Sequence, residues 1–189
     1  MTETAAPKLR ADAARNRARL VEAARALFLA APADAEVSLE QVAREAGVGI
    51  GTLYRHFPNR LDLLEAVYRE EVDGLAHAAE ELSAAHPAGE GLARWLDVFV
   101  DYAATKKHIF HELIEATGRD SELMTHSRAV MLGAAEKMVG AAQDAGEIRR
   151  DVSAPDVIRL VGGCTMMPNF DREQARRVLA VVMDGLRAG

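Results

Sequence analysis

Apolar residues return every three or four positions along most of this chain, the interval that sets them on one face of a helix. Leu20, Ala24, Leu27 and Phe28 mark a first helix over residues 9–30. Residues 1–7 carry no such pattern and are expected to be disordered, and 32–36 read as a loop. Ser38 then stands as an N-cap three positions before Gln41, with Val37 and Val42 placed to staple the helix entry. Leu39, Val42, Ala43 and Ala46 share a face, and Gly47 falls where a left-handed residue ends a helix. A shorter helix runs from Ile50 to just before Pro58, with Leu53 and Phe57 four apart and pointing inward together. Asn59, with Asp62 three positions on, caps a helix that carries Leu61, Leu64, Val67, Tyr68, Val72 and Leu75 into the early 80s.

The clearest loop of the second half is 83–91, with His86, Pro87, Ala88 and Gly89 at its centre. Beyond it five helices are predicted. The first, 92–106, buries Leu92, Trp95, Leu96, Phe99 and Ala103; a short one follows at 108–116, ended by the turn 117–120. Residues 121–145 carry Met124, Met131, Ala135, Met138 and Ala142 on one stripe, and Gly146 stops them. Ser153, Pro155 and Asp156 open the next helix, which holds Val157, Ile158, Val161 and Cys164 and ends at Pro168. Asp171 opens the last, with Val178, Leu179, Val182, Met183 and Leu186 in a wide apolar band. The chain therefore reads as all-α with nine helices in two parts, 1–58 and 59–189.

The helix from Ile50 is odd in its economy. Two residues face inward, and Ile50, Gly51, Thr52, Tyr54, Arg55 and His56 are left for the other faces. Two short helices joined by a tight turn over 38–57 have the spacing of a helix-turn-helix, whose second helix enters the DNA major groove. The pattern AxxAGVxxGTLYRHFPxR, followed by an amphipathic helix, is similar to the DNA-binding domain of the TetR family of bacterial transcriptional regulators. The resemblance covers about a quarter of the chain closely, and the helical remainder is compatible with it.

That resemblance implies a double-stranded DNA operator as partner. Tyr54 and His56 look like the family's backbone-clamping pair, Arg60 stands where the family usually has lysine, and Ser38 and Arg44 join the same DNA-binding set. Thr52 donates to phosphate as well, and base reading falls to Ile50, Thr52 and Arg55. Gly51 lets the groove wall come close. Gly49 departs from the pattern, since relatives carry serine or threonine there as cap and phosphate donor. Arg15, Arg17 and Arg19 lie where relatives touch the operator backbone, or else form a solvated basic face.

The rest of the chain would then hold an effector cavity and a dimer interface. Trp95, Phe99, Tyr102, Phe110, Met124, Met131 and Met138 are its bulky candidates for cavity lining, with plain core as the other reading. Val157, Val161, Cys164, Val178, Val182 and Leu186 are the candidates for pairing with a second copy in a four-helix bundle. The function implied is a repressor released from a palindromic operator by a small, largely apolar ligand. A constitutive architectural DNA binder and a metal-responsive regulator are the alternatives.

Composition agrees with this picture. Of 189 residues 49% are hydrophobic and only 5% aromatic, a mixture that favours helix over strand. A single cysteine rules out an internal disulfide and suits a cytoplasmic protein. No apolar run reads as a signal peptide or a membrane span. The net charge of −6 is unevenly spread. Residues 1–60 hold nine Lys/Arg against seven Asp/Glu, and the remainder fourteen against twenty-two, so the putting of phosphate at the first end is favoured.

Other chemistry is thinly supported. His108, His111, Glu112 and Glu115 share one helical face, a spacing open to a metal or to a plain solvated surface. Cys164 reads as a small core residue. The chain lacks a G-x-S-x-G elbow, a P-loop and a His-Glu-x-x-His pair, so no enzyme, metal or cofactor is expected.

Overall fold

The computed structural model describes residues 5–31, 35–165 and 172–188; the side chains of 5–9, 104, 107, 108 and 165 are also outside the description. Eight helices form among these residues. They divide into two compact units, Met1–Val67 and Tyr68–Gly189.

The first unit contains α1 (Ala5–Ala30), α2 (Leu39–Glu45), α3 (Ile50–His56) and the start of α4 (Arg60–Ala85). Its core holds Leu20, Val21, Ala24 and Phe28 of α1 with Val42, Ala43, Leu53 and Phe57. Local chemistry sets the element ends. The Ser38 hydroxyl accepts from the Gln41 amide at 3.2 Å while the Gln41 side chain accepts from the Ser38 amide at 2.7 Å, closing the expected capping box. Gly47 adopts φ +61°, and a Cβ there would lie 2.9 Å from an Arg19 guanidinium nitrogen. The positive φ requires glycine at the turn between α2 and α3, whereas the Arg19 side chain could swing aside. Asn59 and Asp62 satisfy each other's amides at 3.0 and 3.3 Å at the head of α4. Helix α1 begins earlier than expected, at Ala5; residues 1–4 and 32–34, on which parts of the expected tail and loop fall, lie outside the described residues.

The second unit takes the rest of α4 with α5 (Ala88–Thr117), α6 (Glu122–Asp144), α7 (Ala154–Thr165) and α8 (Arg172–Leu186). Helix α5 packs against α6, α7 and α8 and is the axis of this unit. It corrects the expectation of two helices at 92–106 and 108–116: these are one helix of 30 residues. No glycine or proline interrupts 92–117, and Ile109 and Leu113 continue the buried stripe of Trp95, Leu96, Phe99 and Tyr102. Gly118, at φ +86°, ends it. Its start lacks a local side-chain cap, and Glu147 supplies one from 58 residues away, accepting from the Gly89 amide at 3.0 Å.

Helix α6 is capped by Ser121 and stopped by Gly146 at φ +72°; α7 is capped by Ser153 and Asp156. The expected ends at Pro168 and Asp171 lie outside the described residues. A short antiparallel bridge, not foreseen, ties Ile148 to Arg187, with the Arg149 amide donating to the Leu186 carbonyl at 2.8 Å. Among the described residues no helix is long and apolar enough to cross a membrane.

Candidate nucleic-acid interface and ligand cavity

Helix α3 is held to its unit by one buried side chain within it, Leu53, and by Phe57 just beyond. The rest of it is exposed or half-buried. Ile50 and Tyr54 are 41% and 45% exposed, large apolar surfaces that a helix burying them for stability would not show. Gly51 and Arg55 are exposed beside them, with Thr52 and His56 half-buried. Gly49 caps the helix at φ −64°, ψ 142° without any side-chain hydrogen bond, and nothing lies within 4 Å of where its Cβ, or that of Gly51, would be. Ser38 is half-buried in its capping box, and Arg44 is exposed on α2.

Two arginines have structural work beyond charge. Arg60 donates through Nη1 to the carbonyl of Val37, joining the head of α4 to the residue before α2. The guanidinium of Arg17 lies 5.2 Å over the Phe57 ring, bracing the end of α3 from α1. Arg15 pairs with Asp12 three residues before it. Sequence spacing gave no sign of the Arg17 and Arg60 contacts, because both partners lie far along the chain.

The second unit contains a cavity of about 100 Å³. Tyr68 of α4, then Lys106, Phe110 and Ile114 of α5, line one side. Arg119 from the following turn and Met124, Arg128 and Met131 of α6 complete it. Phe110, Met124 and Met131 were expected at such a site. Trp95, Phe99 and Met138 do not line this cavity and sit in the packed core instead. Trp95 is wholly buried, donates from Nε1 to the Leu75 carbonyl at 2.9 Å and stacks on Phe99 at 6.1 Å between centroids. Met138 packs within 3.4 Å of where a Gly91 Cβ would stand. Tyr102 is buried behind the wall, its hydroxyl 3.5 Å from that of Tyr68. Burial, then the neighbouring Tyr68, pushes the Tyr102 phenol well above its ordinary pKa.

The lining also differs from the expected apolar one by its charge. Lys106 places its ammonium 3.9 Å from the Phe110 ring centroid and 5.7 Å from that of Tyr102. Burial, and then Arg128, lower its pKa to about 8.

The dimer candidates lie largely within the packing of the chain itself. Val157, Val161, Val182 and Leu186 are buried within the chain itself, and Cys164 and Val178 are half-buried. Val161, Cys164, Val178 and Val182 meet Val100 of α5 and Leu179 of α8 in an apolar seam. Among the described residues the large apolar side chains exposed on these helices are Leu160 at 53% and Val181 at 71%. Each precedes a buried valine by one position, so it points about 100° away from it around the helix. Arg176 to Asp97, at 2.7 Å, and Arg172 to Asp101, at 2.9 Å, bind α8 to α5. On the proposed metal face, exposed His111 meets Glu115 at 3.5 Å, and Glu112 is half-buried. The side chain of His108 is outside the described residues, among which no three metal-ligating side chains come together.

Comparison with known proteins divides the chain in the same order. Residues 20–67 match the domain family described as bacterial regulatory proteins, tetR family. Residues 87–188 match the C-terminal domain of SbtR-like transcriptional regulators. A TetR transcriptional regulator from Streptomyces coelicolor has 36% identity over 91% of this chain and 98% of its own, with a TM-score of 0.75. A second, from Mycobacterium vanbaalenii, has 34% identity over 95% of this chain and 99% of its own, with a TM-score of 0.74. An HTH-type transcriptional regulator from Staphylococcus aureus is 40% identical over 65 residues, which are 34% of this chain. That match spans about a third (35%) of the relative's length. These relatives and domains are transcription regulators, not enzymes.

Proposed function

The chain belongs to the tetR family of bacterial regulatory proteins, and from that premise we propose that it is a cytoplasmic repressor released from a palindromic operator by a small molecule. The observation that carries the DNA half is α3 itself, anchored through Leu53 and Phe57 while Ile50, Gly51, Tyr54 and Arg55 face solvent. Thr52, Tyr54, His56 and Arg60 hold phosphates, with Ser38 and Arg44 at the edge of the footprint; Ile50, Thr52 and Arg55 read base edges. Two copies related by a two-fold axis bring two α3 helices to one side of the duplex, so half-sites lie about one turn or a multiple apart. The pairing surface in this reading is the outer face of α7 and α8 around Leu160 and Val181. The cavity of the second unit takes the effector, which shifts the equilibrium by binding one arrangement of the chain better than another.

Selection of bound fragments from the source genome, followed by footprinting, tests the DNA half. A protected pseudo-palindrome with Arg55→Ala changing preference at one base position is the expected result. Protection that ignores sequence would instead make the chain an architectural binder. A thermal-shift screen tests the effector half, because a ligand that binds only the folded chain must raise its melting temperature.

A further inference from the structure

The cavity in the second unit carries three cations and, among its lining residues, no carboxylate. Lys106, Arg119 and Arg128 come from α5, the turn after it and α6, and Phe110, Met124 and Met131 supply apolar walls. None of the three cations pairs with a carboxylate among the described residues. A largely desolvated ammonium without a counter-ion is costly, and here Lys106 rests on the faces of Phe110 and Tyr102 in place of one.

We propose that the effector is a small carboxylate bearing an aromatic ring or a short chain, its carboxylate held by Lys106 and Arg128 and its apolar part by Phe110, Met124 and Met131. The proposal rests on the reading of this cavity as the effector site and names the chemistry that site selects. Arginine matches a carboxylate with two parallel donors, and lysine adds a point charge. The space is about 100 Å³, below the roughly 150 Å³ of an apolar cavity that accepts benzene, so Lys106 must move off the ring to admit even a small acid. An acid in this position would supply the counter-charge for which the rings stand in.

The groups around Lys106 set how such binding depends on pH. Arg128 on α6 lowers its pKa, after burial, to about 8. Tyr68 on α4 and Arg119 line the same space, and Tyr102 on α5 lies beneath the ammonium. Glu71 of α4 is buried and raises the pKa of the Tyr102 phenol, yet it is not among the lining residues. Lys106 is charged below about pH 8 and loses its proton above it, while a bound carboxylate holds the proton on. Carboxylate affinity is therefore greatest below pH 8 and falls as pH rises through that value.

Calorimetric titration of the full chain with benzoate, benzamide and benzamidinium, and with hexanoate and hexanamide, tests this at nearly constant shape. The carboxylates are expected to bind ten- to a hundredfold tighter than the amides, and benzamidinium not at all. Lys106→Met and Arg128→Gln should each bring the ratio of acid to amide affinity close to one, whatever they do to amide affinity itself. Lys106→Met should also abolish the fall in affinity above pH 8, which a merely structural loss would not do. Arg128 is exposed, so its variant folds even if Lys106→Met does not. Amides binding as tightly as acids, or variants that keep the preference, overturn the proposal and leave the cavity as an effector site of neutral ligands. If neither acids nor amides bind, both the proposal and the effector reading of this cavity fall, whatever the chain does with DNA.

Discussion

Replacing Gly49 by serine should strengthen both the first unit and its grip on DNA. Gly49 already holds the cap conformation, with φ −64° and ψ 142°, so a side chain meets no backbone strain. Nothing lies within 4 Å of the new Cβ. The amide of Thr52 donates to the Gly49 carbonyl at 2.8 Å, which leaves the Gly51 amide for the new hydroxyl. A serine cap is better than glycine by a few tenths of a kcal/mol. Removing glycine also lowers the entropy of the unfolded chain, worth about 0.4–1 kcal/mol where the native φ is compatible. The two give roughly 0.5–1.3 kcal/mol, or amide exchange in α3 slowed about two- to tenfold. The same hydroxyl can donate to a phosphate, tightening binding about two- to tenfold on operator and non-operator DNA alike. Serine is neutral, so the salt slope should not change. Native-state hydrogen exchange and fluorescence anisotropy at two salt concentrations measure the two effects. Faster exchange in α3, or tighter binding confined to one sequence, would refute the reasoning, because the first denies the open cap and the second makes position 49 a base contact.

Arg60→Met should weaken binding to all sequences and reduce the salt slope by about one. It should also speed amide exchange around α2, since the bond to the Val37 carbonyl is lost with the charge; an unchanged exchange rate would make Arg60 a phosphate contact alone. Trp95→Phe removes the donor to the buried Leu75 carbonyl and part of a packed ring, and should cost about 1–3 kcal/mol in urea unfolding while carboxylate affinity stays within twofold. Leu160→Glu with Val181→Glu should leave helix content unchanged by circular dichroism and shift the sedimenting species from dimer to monomer. A dimer that survives both changes would put the pairing surface elsewhere.

Local devices were legible in the sequence because their physics is local. Ser38 with Gln41, Asn59 with Asp62, and Gly47 at positive φ each depend on atoms within a few residues, so spacing alone specifies them. The turn between α2 and α3, with Leu53 and Phe57 turned inward, was specified in the same way, and so was the surface left for DNA. Tertiary structure decided whatever depended on a partner distant in the chain. An apolar stripe says which way Trp95 and Phe110 point; it does not say that the first meets packed helices and the second a cavity. The continuity of α5 through Lys106 was legible too, since no glycine or proline interrupts 92–117 and Ile109 and Leu113 continue the stripe at helical spacing. In α7 and α8 the band is apolar on more than one side, and only packing against α5 turned Val161 and Val182 inward and left Leu160 and Val181 outside. Lys106, Arg119 and Arg128 read as unrelated surface charges until the fold brings all three to one cavity with no carboxylate among its lining residues, and it is that convergence which makes them chemistry.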